Sequence, residues 1–292
     1  MRALFIANPG AGRRRAGAVP FAQVADEIRA TLENAGFQLT LAETGVPHPT
    51  SAELAASAVD EGYDAAIVAG GDGTVAPAAA ALVHTRVILG ILPFGSVMNI
   101  AHSIPIPLEP LEAARVIASK RVWKIDVGDV GGRFFFEAAG VGLDADAFGA
   151  ARSAERGDIR RAFRRLRDAI RRESHWIDIV IDERKPLRHR ALQVLVTNGR
   201  YYAWSIPVVP DADVADGMLD VAVFGRMGRW ALLRHLLMLA LRWEPPTRPT
   251  IYRGREIRVD GLEPLRVHAD NEIVGTLPQT FRCRHEALAV FA

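Results

Sequence analysis

Apolar residues fall into two textures along this chain. In the first 125 residues, short apolar runs alternate with stretches of helical spacing. Residues 3–7, 37–41, 65–69 and 87–92 read as four buried strands. Between them, Phe21–Asn34 places Val24, Ile28 and Leu32 on one helical face and stops before Gly36. Residues 51–61 and 77–84 read as two further helices, the second beginning on Pro77. Strands that are apolar on both faces and alternate with helices predict a parallel sheet covered on each side. After Trp123 the pattern changes to short β-branched and aromatic runs broken by Gly or Asp: WKIDVGDV, GRFFFEAAGVG, WIDIVID, ALQVLVTNG, MLDVAVFG and EIRVDG. These predict an antiparallel sheet or sandwich. Helical spacing interrupts it at 158–172 and 229–241.

The expected fold is therefore an α/β domain over 1–125 and a β-rich domain over 126–278, with 279–292 returning to the first. The cleft between two such parts is the natural place for a ligand.

Composition narrows the classes. The 292 residues are 49% hydrophobic, which excludes a disordered chain. Net charge is only +2, although 33 arginines stand against three lysines. Bulk charge thus gives no reason to expect a nucleic-acid partner. A single cysteine, Cys283, leaves no internal disulfide and fits a reducing cytosol. The opening MRALFIANPG has too short an apolar run for a secretory leader. The most apolar window, WALLRHLLMLALRW, is 14 residues long, against about 18 for a spanning helix.

Three glycine-bearing loops follow predicted strands one, three and four: Asn8-Pro9-Gly10-Ala11-Gly12, Gly70-Gly71-Asp72-Gly73-Thr74, and Gly95-Ser96-Val97-Met98-Asn99. Ligands of parallel sheets sit at such strand ends. Glycines let backbone N–H groups turn toward an anion. Asp72, held among glycines beside a hydroxyl, suits a phosphate-bound Mg²⁺; the same pattern also fits an acidic helix cap before Pro77. The chain has no G-x-x-x-x-G-K-S/T motif. Gly140-x-Gly142-x-x-Ala145 matches dinucleotide spacing but lies in the β-rich half.

The order NPGAG, GGDGT and GSVMN resembles the diacylglycerol kinase catalytic-domain family, which includes bacterial lipid kinases and sphingosine kinases. The third loop departs from that family's commoner G-T-x-N-D form. GVGLDA resembles the family's G-x-G-x-D-A turn, and PDADVADGMLDV resembles its P-x-A-x-x-D-D-G-x-L-D segment. VHADNEIVG resembles its D-G-E element, with Asn271 in place of glycine. The resemblance implies an N-terminal fold like that of NAD kinases and phosphofructokinases, and a C-terminal β-sandwich. It implies ATP as phosphoryl donor, held at the three loops, and a lipid hydroxyl as acceptor. It implies that Asp72 positions Mg²⁺ and the γ-phosphoryl group and that Glu272 is the general base. It also implies a structural Mg²⁺ bound by Asp213, Asp216 and the backbone carbonyl of Met218. An NAD kinase-like enzyme and a non-catalytic nucleotide- or lipid-binding regulator remain alternatives.

A lipid kinase works at a membrane. Ile159, Phe163, Leu166 and Ile170 form one helical stripe in a segment, 151–172, that holds nine arginines and three acids. Such a helix suits an anionic surface; it also fits a helix packed on its own sheet. The expectation is a cytoplasmic protein, peripheral on the inner face of the membrane, with homodimer formation through β-edges open.

Overall fold

The structure, a computed structural model, describes residues 1–11, 21–95, 98–142, 174–202, 206–225, 248–270 and 272–292, with 231, 234 and 238 as isolated positions. Contacts divide these residues into two compact units. One is Met1–Val127 with Val214–Asp216 and Arg284–Ala292; the other is Gly128–Asp213 with Gly217–Cys283.

The first unit runs β1 (Arg2–Ala7), α1 (Phe21–Asn34), β2 (Gln38–Glu43), α2 (Ser51–Asp60), β3 (Ala65–Gly70), α3 (Asp72–Leu82), β4 (Ile88–Pro93), α4 (Asn99–Ser103), α5 (Pro110–Ala118) and most of β5 (Val122–Val130). Its sheet is parallel in the order β4-β3-β1-β2, with Ile88 beside Ala65, Ala3 beside Ala65, and Arg2 beside Gln38. Every residue of β3 is buried, as its unbroken apolar run demands, whereas the edge strand β2 leaves Leu41 exposed. The chain's last segment joins this sheet: Val290 pairs in parallel with Leu89. The fully buried carboxylate of Asp126, on β5, fixes that segment by accepting from Glu286 N at 2.8 Å and lying 2.7 Å from His285 Nδ1.

Helix α3 begins five residues before the position that Pro77 predicts. Thr74 N and Val75 N both donate to Gly71 O, at 2.8 and 2.9 Å, so Gly71 is the N-cap and Pro77 lies inside the helix. Asp72, Gly73 and Thr74 therefore form the first turn of a helix, not a free loop. The helices α4 and α5 were not foreseen from the pattern. The second starts on a Glu109 cap whose carboxylate accepts from Glu112 N at 2.7 Å, with Pro110 following it.

The second unit contains β6 (Arg133–Phe135), β7 (Ala138–Gly142), β8 (His175–Ile181), β9 (Leu187–Thr197), β10 (Tyr201–Tyr202), β11 (Ile206–Pro207), β12 (Leu219–Gly225), β13 (Thr250–Gly254), β14 (Glu256–Gly261), β15 (Arg266–Ala269) and β16 (Glu272–Thr276), and the start of β17 (Gln279–Phe291). Its pairings are antiparallel, through β16-β15-β7-β9-β8-β14-β17, with β12 between β9 and β13. Alternate side chains converge in one core that includes Phe135, Ile179, Val194, Val221, Ile257 and Phe281. Phe135 requires Gly128 opposite it, because a Cβ there would fall 2.1 Å from the ring.

The predicted helix at 158–172, and with it the basic stripe at 151–172, lies outside the described residues. Of 229–241, only 231, 234 and 238 are described. No helix among the described residues is long and apolar enough to cross a membrane.

Candidate active site

In the first unit, the three predicted glycine loops are physically joined. Asn8 follows β1 and bonds outward in three directions. Its N–H donates to Ala69 O at 3.1 Å, its Oδ1 accepts from Gly10 N at 2.9 Å, and its Nδ2 reaches Thr74 Oγ1 at 3.4 Å. The first loop is thus tied to the first turn of α3. Pro9 and Gly10 are exposed, Ala11 is buried, and Gly12 lies outside the described residues. Asp72 makes the next link: its Oδ2 accepts from Met98 N at 2.8 Å. Met98 sits in the left-handed region (φ 53°, ψ 46°) directly before Asn99, the first residue of α4. The residue that departs from the family pattern is therefore the one whose N–H meets Asp72. Ser96 lies outside the described residues.

The glycines have different reasons to be glycine. A Cβ on Gly70 would fall 2.6 Å from Thr74 Cβ, and one on Gly95 would fall 2.7 Å from Gly71 Cα and 2.6 Å from Met98 Sδ. Gly70 is small because Thr74 of its own turn packs back on it, and Gly95 because its loop packs on Gly71 and Met98. Gly73 differs: a Cβ there meets nothing within 4 Å. It is exposed in the first turn of α3, where the helix dipole favours an anion. Gly70→Ala is expected to cost about 1–3 kcal/mol in unfolding free energy, because buried Thr74 has no room to move. Gly73→Ala is expected to leave stability unchanged or slightly raised, since Ala is the better helix former. If phosphate approaches there, the same variant weakens nucleotide binding. Denaturant unfolding with nucleotide titration checks both.

In the second unit, Glu272 opens β16 opposite Ala269 and is exposed. Its Oε2 accepts from Arg133 Nη1 at 2.9 Å. Asp270, two positions earlier, has φ 40° and accepts three backbone N–H groups, from Phe136, Glu137 and Ala138, at 2.7, 3.0 and 3.2 Å. Sequence reasoning assigned no role to Arg133 or Asp270. Asp270 lies inside the matched D-x-E element, which was its only signal.

The stretch 210–221 is held by groups that the motif did not name. Arg253 donates to Asp220 Oδ1 at 3.0 Å and to Asp211 O at 3.1 Å. Asp126 N donates to Val214 O at 2.7 Å. Asp213 is exposed, Asp216 and Met218 are half-buried, and Gly217 takes φ 76° between them. Two carboxylates and a carbonyl are the oxygen donors a hard cation takes. Among the described residues, no group of three or more His, Cys, Asp or Glu side chains is gathered as a metal site. The described part of GVGLDA, residues 140–142, is the end of β7 and pairs antiparallel with β9.

A parallel α/β unit with joined glycine loops, accompanied by an antiparallel β unit, defines a two-part protein whose first part carries a glycine-loop cluster at its strand ends. Comparison with known proteins gives the family. Residues 2–130 match the diacylglycerol kinase catalytic domain, and residues 138–292 match the YegS C-terminal NAD kinase beta sandwich-like domain. A diacylglycerol kinase of Staphylococcus saprophyticus is 26% identical over 296 residues, covering 99% of this chain and 95% of that protein. A diacylglycerol kinase of Staphylococcus aureus is 26% identical over 297 residues, covering 100% and 92%. Among solved structures, a diacylglycerol kinase of Bacillus anthracis has a TM-score of 0.77 at 20% identity, covering 99% of this chain and 96% of that one. Yeast NADH kinase has a TM-score of 0.51 at 12% identity, a likeness of fold alone. The chain belongs to the diacylglycerol kinase catalytic-domain family.

Proposed function

We propose that this protein is an ATP-dependent lipid kinase that transfers the γ-phosphoryl group to the hydroxyl of diacylglycerol or a related lipid. The observation that carries the reading is the G-G-D-G-T turn. It caps a helix at the end of a buried parallel strand, with Asp72 bonded to the third loop and Asn8 to Thr74. The loop Asn8–Gly12, in which Gly10 N already donates to Asn8 Oδ1, and the first turn of α3 line the nucleotide phosphates, with Gly95 and Asn99 at the same rim. Mg²⁺ neutralises the phosphate charge when bound. Asp72 is the carboxylate that positions it and the transferring group. The lipid oxygen attacks the γ-phosphorus, the bond to the β–γ bridging oxygen breaks, and ADP leaves. Glu272 accepts the lipid hydroxyl proton as that bond forms. The oxygen donors of Asp213, Asp216 and Met218 suit a second, structural Mg²⁺.

Membrane approach through the basic stretch 151–172 belongs to the same proposal, and its support is sequence alone: nine arginines around an apolar stripe. The test is incubation with γ-labelled ATP and a total lipid extract, beside a parallel incubation with NAD⁺. Label is expected in a lipid phosphate. Label in NADP⁺ instead supports the NAD kinase-like alternative, and ATP binding without transfer supports a regulator.

A further inference from the structure

The carboxylate of Asp270 does more than a turn requires. Asp270 follows Ala269, the last residue of β15, which pairs with Glu272, the first of β16. Its backbone is left-handed, a conformation that Gly or Asn meets without charge. Asp270 adopts φ 40°, and its N–H donates to Ala138 O at 3.0 Å. Its carboxylate then gathers Phe136 N on Oδ2 and Glu137 N and Ala138 N on Oδ1. Hydrogen bonds of this kind, with an ionised acceptor, are the strong ones. Two of the donors, Phe136 N and Glu137 N, belong to the connection between β6 and β7, and the third, Ala138 N, opens β7. The strand that leads into this connection begins with Arg133, which grips the Glu272 carboxylate. One short segment therefore fixes Glu272 twice, through the backbone at Asp270 and through the side chain at Arg133.

We propose that Asp270 is a positioning residue for the acceptor base. Its carboxylate locks the β15–β16 turn to the β6–β7 connection, so that Glu272 is presented at one place relative to the Arg133 guanidinium. The inference rests on the reading of Glu272 as general base. Misplacement of a reacting group by about 1 Å costs on the order of 100-fold in rate.

Asp270→Asn keeps shape and left-handed tolerance but removes the charge and puts an NH₂ among three donors. It is expected to lower kcat about 10- to 100-fold while the KM for ATP stays within about twofold. Asp270→Gly, which keeps the turn and removes the carboxylate, is expected to do the same. The decisive measurement is Asp270→Asn combined with Glu272→Gln: the pair is expected to be no slower than Glu272→Gln alone, because one residue acts through the other. If Asp270→Asn costs its full factor again on the Glu272→Gln background, Asp270 acts independently and the proposal is overturned. Native turnover by Asp270→Asn or by Asp270→Gly, or unfolding of both, also overturns it. Native turnover by Glu272→Gln overturns the base assignment and this inference together, an outcome recognisable from the single variant.

Discussion

Asp72→Asn is expected to abolish phosphoryl transfer while leaving the protein folded. The substitution is nearly isosteric. An asparagine Oδ1 still accepts the Met98 N–H that Asp72 Oδ2 accepts at 2.8 Å, so the link between the second and third loops survives. What disappears is one negative charge in the first turn of α3. That charge has two effects. It stabilises the helix start by about 0.3–1 kcal/mol through the helix dipole. In the proposed mechanism it is also the group facing the metal and the transferring phosphoryl, and losing such an electrostatic group costs on the order of 10²–10³ in kcat or more. The melting temperature should therefore move by a few degrees at most, and the labelled-phosphate rate should fall at least 100-fold. Asp72→Ala removes the Met98 link as well and is expected to be no more active and less stable. A folded Asp72→Asn protein that transfers phosphate within tenfold of the native rate would remove Asp72 from the chemistry.

The contrast between Asp72 and its neighbours shows what a sequence carries. Four parallel strands and the three loops after them were legible because each is local: an apolar run of a few residues, then glycine. The start of α3 was not, because Pro77 is a strong helix-start signal and Gly71 a weak one. The hydrogen bonds from Thr74 and Val75 to Gly71 O decided the matter. The glycines also looked equivalent in the sequence. Only packing separates Gly70 and Gly95, which make room for Thr74, Met98 and Gly71, from Gly73, which borders open space.

In the β-rich half, strands with a clean alternation were legible, but β13, β15 and β16 were not. The four residues of β15 carry an Arg and a His, and β16 begins on a charged residue. The strand character of β15 comes from a partner far along the chain, with Val267 beside Val141 and Ala269 beside Ala139, and β16 then pairs on β15. The same distance hides Arg133 and Asp270. Arg133 stands 139 residues from Glu272, and Asp270 stands 132 to 134 residues from the N–H groups it gathers. The motif preserved the identity of the acid, and the fold supplied what holds it.

Glu272→Gln is the second large effect, and it differs from Asp72→Asn in kind. Glu272 is exposed, and its ion pair with Arg133 is exposed on both sides, so the pair adds little to stability. The variant should unfold within about 1 kcal/mol of the native protein. If Glu272 removes the proton from the lipid hydroxyl, a neutral amide cannot replace it, and kcat should fall about 10²–10⁴-fold with nucleotide binding intact. Glu272→Asp, which keeps a carboxylate on a shorter arm, separates this cause from a simple loss of charge at the surface: it is expected to recover part of the rate that Glu272→Gln loses. Measuring kcat and KM for lipid phosphorylation in both variants against the native protein reads the effect. A folded Glu272→Gln variant within about tenfold of the native kcat assigns the base to another residue.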